Sequence, residues 1–438
     1  MQIPINSLGT AAISAALALP LAAGPYSAAL NDPSNPHDAP VPGFMGPHGA
    51  GMARLATGLI DESGDPVFEN PANYVNPLFF AWAGTVADYQ ASEFVSAAYA
   101  DSSLALGPVT GDNFDVVSLG DMTPTAITAG GAPGTITLEF VKPIRNLSGA
   151  DFVIFENGHI AQFDQGGAGI GGIFAELAYV EVSADGTNFV RLPATSLTAA
   201  AVGGYGSLDP TNIHNLAGKH LNAYGKSWGT PFDLTASGLP QITHIRLVDI
   251  PGNGAFHDVS NHSIYDAWKT FGSGGFDLEA VGAVSTSMTY AEWPPLANLA
   301  TEDQAPDADP DKDGIPNLLE YAFATVPWAA DAAVQSIAMH NGHAEITFRR
   351  DERLTDLVYE VQASSTLTAN DWQTIATSTG GAPFQGTNSH SPVISETSAD
   401  PIQSIGVIRK TTVRDTAAAG RRFLRVKVTS TSDSIPNQ

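Results

Sequence analysis

The stretch from Asp307 to Glu320 reads DADPDKDGIPNLLE: aspartates on every second residue, then a glycine, then a closing glutamate. Numbered as a twelve-residue loop from Asp309, it puts Asp309, Asp311 and Asp313 at positions 1, 3 and 5. Gly314 falls at 6, Ile315 at 7, Asn317 at 9 and Glu320 at 12. This order suits a hard cation held by oxygens, Ca²⁺ above all. Alternate side chains of a looping chain point inward, and glycine permits the sharp turn. The Ile315 carbonyl adds one direction, and Glu320 can close the shell with two oxygens. Pro316 has no N–H to give a twin loop, so an unpaired site is expected. Its affinity should be that of extracellular modules, on the order of 10⁻⁴ to 10⁻³ M. A solvated acidic linker is the competing reading, but it would not require Gly314 and Glu320 at these offsets.

A second group of acids sits where alternation predicts inward faces. Glu156 follows Phe152 and Ile154, Glu176 precedes Ala178, Val180 and Val182, and Asp277 and Glu279 share a face with Val281. Glu156, Asn157, Glu176 and Asp277 are candidates for a second metal; the alternative is acids at strand ends that cap turns. Two of these carboxyls could also serve as the acid and base of a glycosidase. Loop aromatics offer a different chemistry: Tyr205, Tyr224, Trp228, Tyr265 and Trp268 lie among glycines, aspartates and asparagines. A sugar ring asks for such an apolar face with polar partners at its edge, although the same rings could plug the end of a β-sandwich. There is no G-x-S-x-G, H-E-x-x-H or Walker loop. His214 and His220, like His257 and His262, read as loop histidines rather than metal ligands.

The elements that must position these residues are strands. The chain has 438 residues, with 43 Gly and 30 Pro, which predicts two or three domains built from short strands and tight turns. TITLEFV (135–141), DFVIFEN (151–157), THIRLVDI (243–250) and FDLEAVGAV (276–284) carry strand patterns. LAYVEVSADGTNFVRLP (177–193) reads as a hairpin about Asp185-Gly186. Residues 75–89 could hold one short helix. Residues 343–350, 357–365, 371–378, 405–413 and 421–429 resume the strand signal. The expected class is all-β: a jelly-roll or galactose-binding-like sandwich over residues 29–286, with an irregular start. An acidic calcium-loop linker with a short helix follows over 287–328, then a smaller immunoglobulin-like sandwich over 329–438.

Charge narrows the partners. The formal net charge is −26, of which residues 1–300 carry −19 and residues 301–330 carry −6. Such a field disfavours nucleic acid and anionic lipid and suits cations and neutral ligands. With no cysteine, disulfides and thiolate chemistry are excluded. Ala11–Ala23 is an apolar run of the length of a signal-peptide core, with YSA as a cleavage-like site, although the first basic residue is Arg54. Residues 1–28 are therefore read as a signal peptide. The mature chain should not insert into a membrane.

Residues from about 100 to 285 resemble an uncharacterised family of secreted bacterial surface proteins, of the PEP-CTERM-associated and verrucomicrobial type. The stretches that carry the likeness include DSSLALGP, DVVSLGD, PIRNLSGADFVIFENG, FAELAYVEVSADGTNFVRLP, DPTNIHNLAGKH and GSGGFDLEAVGAV. The acidic loop is similar to dockerin and thrombospondin type 3 repeats. VEVSADGTNFVRL is similar to a hairpin of discoidin-like and galactose-binding-like jelly rolls. The resemblance implies export and no established activity. The chain ends STSDSIPNQ without a hydrophobic anchor, which leaves release or another surface route open. The expected function is an exported, calcium-binding, non-catalytic surface or secreted protein that recognises a glycan or cell-surface polymer. The alternatives are an adhesive structural component that binds proteins and a carbohydrate-active hydrolase or lyase.

Overall fold

The computed structural model describes residues 24–28, 38–45, 74–220, 222–223, 228–297, 299–331, 333–387, 391–400, 402, 404–417 and 421–431. The apolar stretch Ala11–Ala23 lies outside the described residues. The fold is all-β, as the alternation predicts. The first half supplies β1 (Val41–Pro42), β2 (Ala81–Trp82), β3 (Thr85–Gln90), β4 (Val117–Ser118), β5 (Thr135–Arg145) and β6 (Phe152–Glu156). It continues with β7 (Ala178–Ser183), β8 (Val190–Arg191), β9 (Trp228–Phe232), β10 (Gln241–Asp249) and β11 (Asp277–Ala283). A six-stranded sheet runs β1-β9-β6-β11-β2, with β4 also on β11; a five-stranded sheet runs β8-β7-β10-β5-β3. All these pairings are antiparallel.

The core between the two sheets follows the period of two. Ile136 and Leu138 of β5, Val180 and Val182 of β7, and Ile245 and Leu247 of β10 meet Phe152, Ile154, Phe232, Leu278 and Val281. β6 is buried at every position, and the reason lies on its other face. There Val153 and Phe155 pack with Val41, Phe79, Ala280 and Val284, and with Ile405, Val407 and Ile408 from the far end of the chain. The six-stranded sheet is thus covered on both sides, as its near-continuous apolar run requires.

The second half supplies β12 (Gln335–His340), β13 (His343–Asp351), β14 (Leu357–Ser364), β15 (Gln373–Thr379), β16 (Gln385–Gly386), β17 (Val393–Ser398), β18 (Ile408–Arg414) and β19 (Phe423–Ser430). They form two four-stranded sheets, β12-β13-β18-β17 and β16-β15-β14-β19. The linker helix, Asn317–Phe323, places Leu318, Tyr321 and Phe323 in the core of this second sandwich, beside Phe348, Tyr359 and Val361. Tyr359 fixes the end of the helix by donating from its hydroxyl to the Ala322 carbonyl at 2.6 Å. The helix therefore belongs to the second core and does not serve as a wedge between two sandwiches.

What joins the halves is the shared apolar layer and Arg353. Its guanidinium pairs with Asp351, lies 3.6 Å from the centre of the Phe80 ring and donates to the carbonyls of Leu78 and Val284. Two features differ from the sequence reading. Residues 75–89 form strands rather than a helix: β2 pairs with β11 of the six-stranded sheet, β3 pairs with β5 of the five-stranded sheet, and the chain crosses from one to the other at Ala83-Gly84. The loop at Asp185-Gly186 is wider than a two-residue turn, since Glu181 pairs Arg191 and Val182 pairs Val190. Asp185 fills it by accepting from the backbone N–H groups of Thr187 and Asn188 at 2.9 and 2.8 Å.

Gly24–Ala28 is packed on the first sandwich. The Gly24 N–H donates to Thr211 Oγ1 at 2.7 Å, the Tyr26 N–H to the Thr211 carbonyl at 3.1 Å, and Ser27 is fully buried. A leader that ended at Ala28 would take these contacts with it, whereas one that ended before Gly24 would leave them in place.

Candidate metal centre

The acidic loop folds as a turn of alternating carboxylates. Lys312 and Gly314 adopt positive φ, at 63° and 93°, which swings successive aspartates to one side. Asp309, Asp311 and Asp313 each bring a carboxylate oxygen within 4.8 Å of the others, the one such convergence of three acidic or histidine side chains among the described residues. The loop braces itself: the Gly314 N–H donates to Asp309 at 3.0 Å, the Asp313 N–H to Asp311 at 3.1 Å, and the Ile315 N–H to Asp313 at 2.7 Å.

Position 12 is the informative one. Glu320 is fully buried on the linker helix, and neither of its oxygens has a hydrogen-bond partner. Burial raises its pKa to about 8, helped by the charges of Asp311, Asp313, Asp331 and Asp309. A buried carboxylate without donors is expensive unless a cation or a proton neutralises it. Asn317 is also fully buried; its amide nitrogen donates to the carbonyls of Asp303 and Ala305 at 2.6 and 2.9 Å, and its oxygen has no partner. Asp309 and Asp311 each keep one water-shielded oxygen without a partner. These orphan oxygens make up a donor set suited to a hard divalent ion.

Asp331 is the residue that the loop pattern missed. Its N–H donates to Asp313 Oδ2 at 2.8 Å, and its own Oδ2 is buried without a partner. No spacing rule finds it, because it enters only when the chain returns past the helix.

The second set of acids is buried together at one end of the first sandwich. Glu156, Glu176 and Asp277 are 2–4% exposed, and Asp121, Asp249, Asp266 and Glu279 join them at 3% or less. Each holds protein donors: Ser118 and Asn157 on Asp277, Thr270 on Glu176, the Gly158 N–H on Glu156, the Leu177 N–H on Asp266, and Asn222 with the Thr110 and Gly111 N–H groups on Glu279. Burial lifts all seven pKa values, to about 7 for Asp277 and about 8 for Glu279. Neighbouring carboxylates push Glu156, Glu176, Asp249 and Asp266 further up. Glu156, Glu176 and Asp277 do not converge as the loop aspartates do. A carboxyl whose pKa is raised in this way can both donate and accept while it keeps its proton, which suits a cluster whose hydrogen-bond partners are protein groups, although Asp249 Oδ2 is buried without one.

The five aromatics of the sequence reading do not share one surface. Trp228 lies half-buried in β9 opposite Pro42, Tyr265 packs against Gly254, and Tyr224 lies outside the described residues. Trp268 donates from its indole to the Met122 carbonyl at 3.2 Å. Tyr205, 69% exposed, sits on a loop pressed against the one that follows Trp268: a Cβ on Gly204 would lie 2.7 Å from the Lys269 carbonyl. The next residues add Phe271, 61% exposed, edge-on to Phe94 at 4.8 Å, with the Lys269 ammonium 4.9 and 4.8 Å from the two ring centres. Tyr205, Trp268 and Phe271 thus share one end of the sandwich, and Phe94 and Phe271 escaped the sequence reading.

Compared with models of known protein families and with curated proteins, the chain matches none. Among the described residues, no helix is long and apolar enough to cross a membrane.

Proposed function

We propose that this chain is an exported, calcium-binding, non-catalytic binding protein of a bacterial surface or secretion route, with carbohydrate as its ligand class. The observation that carries the reading is Glu320, buried with two orphan oxygens beside three converging aspartates. Ca²⁺ there would be held by Asp309, Asp311, Asp313, the Ile315 carbonyl, Asn317 and Glu320. Because Leu318, Tyr321 and Phe323 follow these ligands into the second core, metal binding would contribute folding free energy to that sandwich. The leader-like Ala11–Ala23 supports export. The exposed Tyr205–Phe271 end of the first sandwich supports a platform for sugar rings.

A catalytic reading has less behind it, since the carboxyls it would use are at most 4% exposed. The adhesive alternative draws on the firm joint between the sandwiches. A screen of polysaccharides and glycans with calcium, and again with EDTA, tests the reading. Saturable calcium-dependent binding supports it; no binding in either condition by a folded, calcium-loaded protein favours the adhesive component. Release of reducing ends or unsaturated sugar would establish an enzyme.

A further inference from the structure

Asp331 stands outside the twelve-residue loop, yet its backbone is fastened to it. The 2.8 Å hydrogen bond from its N–H to Asp313 Oδ2 holds the chain that leads into β12 against the third aspartate. Its side chain presents an oxygen that is shielded from water and has no protein donor. At the other end of the same stretch, Glu320 presents two such oxygens from a fully buried side chain. That hydrogen bond to Asp313, a member of the converging triad, puts Asp331 at the same acidic centre. Protein groups leave all three oxygens unsatisfied, and like charges so close repel unless a cation lies among them.

We propose that Asp331 is a further ligand of the ion held by the Asp309–Glu320 loop, so that one metal fastens the linker to the start of the second sandwich. The proposal rests on the calcium reading above. Calcium accepts about six to eight oxygens, and the loop alone supplies three aspartates, one carbonyl, the Asn317 amide oxygen and a two-oxygen glutamate. Asp331 adds an eighth oxygen and closes a ring of chain from Glu320 onward. Within that ring, Tyr321, Ala324, Pro327 and Trp328 form one wall of an apolar cavity of about 240 Å³ at the joint, faced by Phe80 and Arg353. Ligation at both ends would hold this wall still.

The test is calcium titration calorimetry on the full chain, comparing wild type, Asp331→Asn and Glu320→Gln, with melting in EDTA and in calcium. Asp331→Asn should keep a stoichiometry of one while weakening affinity at least about tenfold. Its melting temperature should equal or exceed that of wild type in EDTA, where one repelling charge is gone, and fall below it in calcium. Amide exchange over residues 321–331 should slow on adding calcium to wild type and much less so in Asp331→Asn. Unchanged affinity and unchanged protection in Asp331→Asn would overturn the proposal while leaving the calcium loop intact. A lower melting temperature in EDTA with unchanged affinity would show a purely structural aspartate and would also overturn it. If wild type binds no calcium, the calcium reading fails and takes this inference with it.

Discussion

Lys219 and Asp38 form an ion pair out of reach of solvent: Lys219 is fully buried and Asp38 is 2% exposed. Around it, His220 Nε2 lies 2.9 Å from the Asp38 carbonyl, and Tyr26 stacks on His214 at 4.7 Å. This knot ties the beginning of the chain to the first sandwich. Lys219→Met would leave a buried carboxylate with fewer cations to meet it, and should cost about 3–5 kcal/mol. The double variant with Asp38→Asn should recover much of that loss. Urea unfolding of wild type and the two variants decides it; a cost below roughly 1 kcal/mol for Lys219→Met would mean that the pair is not desolvated as described.

Calcium should raise stability and EDTA should lower it. At a free concentration a hundredfold above Kd the gain is about 2.7 kcal/mol. Glu320→Gln should reverse the usual sign of a core substitution: more stable than wild type in EDTA at neutral pH, because the metal-free fold no longer has to keep a buried carboxyl protonated above its ordinary range, and nearly indifferent to calcium. Thermal melts in both buffers suffice. A variant that still gained stability from calcium as wild type does would remove Glu320 from the site.

Asp400, which accepts the Ile408 N–H at 2.8 Å, has its pKa raised by burial to about 7. The folded state therefore holds a proton that the unfolded chain gives up near pH 4. The contribution is fully present below about pH 4 and is lost as pH rises through about 7. Asp400→Asn can keep the acceptor and lose the titration. The fall in wild-type urea stability between these limits should be smaller in the variant, and an identical slope would show that Asp400 ionises freely in the fold.

At the exposed end of the first sandwich, Tyr205→Ala and Phe271→Ala should each weaken glycan binding by about 1–2 kcal/mol, in the range of aromatic contacts. Neither should shift the melting temperature by more than about 2 °C, since exposed rings contribute little to folding. Binding that survives both changes would place the ligand elsewhere.

Much of the fold was legible because its strands obey a period of two. TITLEFV, LAYVEVS and THIRLVDI alternate as strands must, and the same rule put Glu156 on the face of Phe152 and Ile154; it failed for Asp277 and Glu279, because a register shift between Leu278 and Ala280 turns Val281 to the face of Leu278. DFVIFEN was legible as a strand, but not the reason for its apolar second face. That face meets Ile405, Val407 and Ile408, some 250 residues away, and no local pattern encodes such a meeting. The loop ligands could be read from spacing alone because a metal loop is a local object. Asp331 could not, since tertiary docking brings it there. The aromatics misled for the same reason: glycine-rich loops show where rings can be exposed, not which loops will lie side by side.

Among the described residues, the outer face of the six-stranded sheet is covered around Val153 and Phe155. Phe79, Val153 and Phe155 look outward from the first sandwich onto residues that close the second. A protease that cut the acidic linker would sever the covalent connection, yet the two fragments would still share this apolar layer and the contacts of Arg353. Separated by denaturant, the first fragment would show an aromatic sheet face to solvent and seek another copy of itself. The linker, for all its charge, is a strap over a joint that is already closed.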